Sequence, residues 1–100
     1  MSAYVIAPVA EEDLLVIWHY YAEEVGDPEL ADRMVGELIS GIHTIAKNLG
    51  IGHPRRDLSE EPLGFWVIRR YLVIYRADKS PVKIARVLHS ARDVQAILGG

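Results

Sequence analysis

Residues able to do chemistry gather in one short stretch, "RVLHSARDVQAIL", Arg86 to Leu98. It sets His89, Ser90, Arg92 and Asp93 within five positions at the edge of an apolar run. A histidine could move a proton near neutral pH and an arginine could bind an anion. A serine beside them would be a nucleophile only with a base at hand. Local geometry explains much of this cluster without catalysis. Val82 to Leu88 is β-branched and aliphatic, as in a strand. Ala91, Val94, Ile97 and Leu98 recur at helical spacing. Ser90 then reads as a helix N-cap with Asp93 three residues on, a shorter variant of the capping box that the helix dipole also favours. His89 and Arg92 remain: His89 reads first as fixing the turn through a backbone hydrogen bond and next as a pH-sensitive or partner contact, and Arg92 as a candidate for partner contact. Arg86 shares strand parity with Ile84 and Leu88 and would be partly buried, so it needs a carboxylate or carbonyl, for which Asp93 is nearest in sequence.

Other candidates are sparse. His19 and Glu23 stand four apart on a helical pattern, but two ligands are too few for a zinc site. The sequence contains no phosphate-binding loop, dinucleotide fingerprint or nucleophile elbow. No metal or cofactor is expected. The absence of cysteine excludes disulfide and thiolate chemistry. The remaining cations, including Arg69, Arg70 and Arg76, form a plausible anion-binding patch. Arg76, Lys79 and Lys83 also suit the duller role of solvating strand ends and a turn.

The elements that must position these residues follow from periodicity. Tyr4 to Ile6 suits a strand ended by Pro8. Acids at Glu11, Glu12 and Asp13 then load a first helical turn. Leu14, Trp18, Tyr21 and Val25 mark one helix face, widened by Ile17 and Ala22, with Gly26 as the stop. Tyr20 lies off that face as a candidate contact. Asp27-Pro28 restarts a helix with Asp as cap and Pro at the first position. Its stripe runs through Ala31, Met34, Val35, Leu38, Ile42, Ile45 and Leu49 to Gly50. A turn so short makes the two helices an antiparallel hairpin. Residues 50–64 read as a loop long enough to suspect function. Phe65–Ile68 and Leu72–Ala77 read as strands about a turn at Arg69-Arg70-Tyr71, and Asp78 to Pro81 turns the chain into the last strand. The expectation is one α+β domain over residues 1–100, ordered β-α-α-β-β-β-α. Its sheet is mostly antiparallel, with the hairpin on one face and a short C-terminal helix.

Charge is unevenly spread. Residues 1–50 carry two basic and nine acidic residues, a balance of −7; residues 51–100 carry nine basic and five acidic, a balance of +4. Either the helices hold solvating acids, or the C-terminal half offers a basic face to an acidic partner. No secretory signal and no membrane-length apolar run is visible, and a cytoplasmic protein is expected.

Three stretches in register resemble the ParE/RelE toxins of bacterial type II toxin–antitoxin modules. "APVAEEDLLVIWHYYAEE" resembles their opening, with Ala-x-x-Asp-Leu starting helix one. "RRYLVIYRAD" resembles their central strand, and "IARVLHSARDVQAIL" the ending of the ParE branch. The resemblance implies a toxin without catalysis of its own. It would poison DNA gyrase by protein–protein binding and be held silent in a hetero-oligomer by an antitoxin with an acidic C-terminal segment. No membrane and no sequence-specific nucleic-acid binding are implied. Patch residues on this view are Arg69, Arg70, Arg76, Arg86, His89 and Arg92, with Tyr20 and Trp66 toward the antitoxin. The alternatives are a RelE-like ribosome-dependent endoribonuclease and a harmless stabilisation or scaffold homologue. Against the nuclease, the positions aligned with its catalytic groups hold Trp66, Ile68, Leu72 and Ala96. None of these can transfer a proton or pair with phosphate; a one-residue slip would bring in Arg69 or Arg70.

Overall fold

The computed structural model describes residues 4–47, 63–76 and 81–89. Strand β1 (Tyr4–Ile6) leads into helix α1 (Pro8–His19), which continues as a π-helical turn over Tyr20–Glu24. Helix α2 (Pro28–Lys47) follows, then strands β2 (Leu63–Ile68), β3 (Tyr71–Arg76) and β4 (Val82–His89). The four strands form one sheet in the order β1-β4-β3-β2. β4 pairs antiparallel with β3 and β3 with β2, while β1 lies parallel to β4. The fold is the mixed α+β arrangement expected. The expected C-terminal helix, the turn at Asp78 to Pro81 except Pro81 itself, and most of the 50–64 loop lie outside the described residues. Leu63 and Gly64, at that loop's end, already belong to β2.

Helix α1 begins at Pro8, three residues before the acidic run. Proline at the first helical position has no N–H to leave unsatisfied. Ala7 cannot cap with its side chain, and its carbonyl takes the N–H of Ala10 and of Glu11. The buried face of α1 is Ala10, Leu14 and Ile17, with Tyr21 packed beside them. Trp18 is only half-buried and Val25 is 49% exposed, against the stripe expected for them. For Val25 the π-turn is the cause. The Val25 N–H reaches back five residues to the Tyr20 carbonyl at 3.0 Å, so a projection at 3.6 residues per turn overshoots the core. Gly26, at φ +83°, stops the helix in a conformation glycine adopts without strain. Asp27 then caps α2, its Oδ1 accepting the Leu30 N–H at 3.1 Å. The turn is tied across by Trp18 Nε1, which donates to Asp32 Oδ1 at 2.8 Å.

Helix α2 buries Ala31, Leu38, Ile42 and Ile45, with Met34 and Val35 at the margin, as its stripe predicts. These pack with α1 on one face of the sheet, against Tyr71, Val73, Tyr75, Val82, Ile84 and Val87. The alternate residues Leu63, Phe65, Leu72, Ile74 and Leu88 form a second buried cluster. Alternation breaks once. Tyr75 pairs with Ile84 and Ile74 with Arg86, so β4 carries one extra residue, Ala85, at a bulge. Ile84 and Val87, three apart, therefore join the same core, and the parity expected to group Ile84, Arg86 and Leu88 fails there.

Candidate functional site

A cleft of about 510 Å³ opens between the C-terminal half of α1 and the far end of the sheet. Helix α1 and its π-turn supply Asp13, Val16, Ile17, Tyr20 and Tyr21. The β2–β3 turn and the strands supply Arg70, Tyr71, Arg86 and Val87 through His89. Sheet register accounts for the second wall: Tyr71 pairs with His89, so the start of β3 and the end of β4 arrive together.

The closest knot of polar contacts is Arg86 with Asp13. Arg86 Nε donates to Asp13 Oδ2 at 2.8 Å and Nη2 to Oδ1 at 3.0 Å, and the Val87 backbone N–H also donates to Oδ2, at 2.9 Å. Side-chain exposure is 14% for Asp13 and 25% for Arg86, so the fork is shielded and two-pronged. The expectation that Arg86 needs a carboxylate holds, and the carboxylate is Asp13; Asp93 lies outside the described residues. Ala85, at the bulge, separates Arg86 from Ile84.

Aromatic rings make up much of the remaining surface. Tyr20 stands edge-to-face against Tyr21 at 5.0 Å, and Tyr71 against His89 at 5.8 Å. The Tyr71 hydroxyl donates to Tyr21 Oη at 3.4 Å. Burial pushes the Tyr71 phenol above the ordinary tyrosine range, helped by its hydrogen bond to Tyr21 and by the charge Tyr21 would carry if ionised. Tyr20 is 51% exposed, off the core face as expected.

Of the patch residues read from sequence, Arg70, Arg86 and His89 come together in the cleft, and Tyr20 faces them. Arg69 does not join them. It sits in the hairpin turn at φ +59°, a conformation costly for a residue with a Cβ, and its guanidinium pairs with Glu37 on α2 at 2.6 Å. That hydrogen bond, and the Glu37 charge, raise the Arg69 pKa. Arg76 lies at the other end of β3, opposite Lys83, about 17 Å along the strand from Tyr71. Trp66 is on edge strand β2, half-buried against the core. Arg92 lies outside the described residues. Sequence reasoning did not single out Asp13, Val16 or Tyr71 as site residues. The signal was present: Asp13 and Arg86 each sit inside a quoted motif, but their separation by 73 residues hides the pairing.

His19 Nδ1 and Glu23 Oε2 meet at 3.2 Å, both largely exposed. Among the described residues no three potential ligands gather into a metal-binding group, and no helix is long and apolar enough to cross a membrane.

The fold and cleft define a small α+β protein with a sheet-end surface rich in arginine and tyrosine. The family model described as the ParE toxin of the type II toxin–antitoxin system, parDE, matches residues 4–94. The chain belongs to this ParE toxin family, whose toxin–antitoxin context implies an antitoxin partner. A solved structure described as the chromosomal ParDE TA system from P. aeruginosa shares its fold, with a TM-score of 0.74 at 19% identity, over 89% of this chain and 96% of that one. Comparison with curated protein sequences gave no match.

Proposed function

We propose that the protein is the toxin of a type II module, acting in the cytoplasm by binding DNA gyrase rather than by catalysis, and neutralised by a cognate antitoxin. The observation that carries this reading is the family match across residues 4–94, on a fold the chain shares nearly end to end with a solved ParDE structure. Arg70, Arg86, His89 and Arg92 are the proposed target contacts, with Arg69 at the adjoining turn and Arg76 beyond it. Tyr20 and Trp66 are the proposed antitoxin contacts. A basic C-terminal half suits an acidic antitoxin arm, since complementary charge steers encounter and fixes register.

One observation favours a second reading, ribosome-dependent mRNA cleavage: a phenol, an imidazole and guanidinium groups converge in one cleft. Two others weigh against it. Arg86 is engaged by Asp13, and burial makes Tyr71 a poor proton donor or base near neutral pH. The experiment is induced expression in bacteria with and without the antitoxin from the same module. Growth arrest with broken chromosomal DNA, relieved by the antitoxin, supports gyrase poisoning. Arrest with cut transcripts and intact DNA supports the nuclease. Harmless expression contradicts both and points to a stabilisation or scaffold homologue.

A further inference from the structure

We propose that Arg69 is a positioning residue: through its ion pair with Glu37 it holds the β2–β3 turn so that Arg70 stands in the wall of the cleft. Register fixes the length of that turn. Ile68 pairs with Tyr71, so Arg69 and Arg70 alone make it. Two-residue hairpins need a positive φ at the first central position or at both, and glycine or asparagine meets that need at least cost. Here the first position is Arg69 at φ +59°, the one residue other than glycine with a positive φ among the described residues. Glycine would close the same turn without strain. It would lack the side chain, and that side chain crosses to α2, where Nε donates to Glu37 Oε1 at 2.6 Å. Strained residues persist where their surroundings over-determine them. The seat on α2 extends to the preceding residue, since Ile68 lies against Gly41, one helical turn beyond Glu37. Helix α2 thus takes Ile68 and Arg69, while Arg70 and Tyr71 line the cleft beside α1. Burial raises the Tyr71 phenol and the Arg70 charge works against that rise, which places the guanidinium near the ring. Arg69 is 59% exposed and Glu37 33%, and a pair so open to water adds little to global stability. Its effect therefore falls on where the turn stands, and it acts whether or not gyrase is the target.

The test follows Arg70 in the purified full chain by NMR relaxation of its backbone amide and of its side-chain Nε–H. In Arg69→Gly and in Glu37→Ala the amide order parameter should fall from the rigid range, about 0.85, to below about 0.6. The Nε–H should become mobile with it, and the ring resonances of His89 and Tyr71 in the same wall should shift. Thermal unfolding of both variants should stay close to that of the unchanged protein. In Arg69→Gly the relieved strain offsets the lost pair. Exchanging the two charges, Arg69→Glu with Glu37→Arg, should restore the order at Arg70. An Arg70 as ordered in both single variants as in the unchanged protein would overturn the proposal. So would a charge exchange that restores nothing, or order lost only alongside a lowered unfolding temperature of the whole chain, which would make the pair a general brace.

Discussion

Asp13 is the residue on which most of the cleft turns. It holds both prongs of Arg86 and the N–H of Val87, so one carboxylate pins α1 to the bulged strand. Removing one member of a shielded pair leaves the other charge without compensation. Asp13→Ala should therefore lower stability by about 3 kcal/mol, read from urea unfolding. Asp13→Asn should cost less, because its amide oxygen still accepts from Val87. Tyr71 gives a second residue-scale test. Its phenol keeps its proton in the folded protein above pH 10.0, the ordinary tyrosine value, where the unfolded chain has begun to release it. The stabilisation is thus fully present below that pH and is lost as pH rises toward the folded value. Spectrophotometric titration should show one tyrosine ionising late, and stability should fall in alkali less steeply in Tyr71→Phe. Legibility was uneven at this scale. Strand parity told that Arg86 needed an anion, but the partner lay on another element, beyond any local pattern.

The elements themselves were largely written in local signals. Asp27-Pro28 opened α2 with the cap seen between Asp27 Oδ1 and Leu30, and the α2 stripe buried Ala31, Leu38, Ile42 and Ile45 where its period marked them, with Met34 and Val35 partly buried and Leu49 outside the described residues. Two features escaped. The π-turn after His19 changes the helical period, so Val25 left the core. The bulge at Ala85 shifts β4 by one residue, so parity failed at Arg86. Neither has a turn residue to announce it; both arise where packing overrides the local repeat. Two glycines separate rigid from yielding contacts. A Cβ on Gly64 would enter the ring of Tyr75, which is fully buried and has nowhere to move. A Cβ on Gly41 would meet the end of the Ile68 side chain, which can turn aside. Gly64→Ala should cost about 2–3 kcal/mol by overpacking, while Gly41→Ala should cost clearly less and gain helix propensity. Thermal unfolding of the two variants side by side checks the contrast.

For the whole molecule, the architecture serves to bring the ends of α1, β3 and β4 together, and family membership gives that surface its context. The fold was legible because order, caps and stripes agreed across the chain. The site was legible only in part: Arg70, Arg86 and His89 were named, but Arg69 is drawn away by Glu37 and Arg76 by strand length. If the protein acts by adhesion, its effect must survive in a reaction that contains its target and no ribosome. The most direct measurement is DNA supercoiling by purified gyrase with the purified, antitoxin-free protein added. The account predicts that supercoiling falls and cleaved DNA accumulates, that the antitoxin reverses both, and that Arg70→Ala together with His89→Ala weakens the effect. Undisturbed supercoiling, with ribosome-bound mRNA cut by the same preparation, would contradict it.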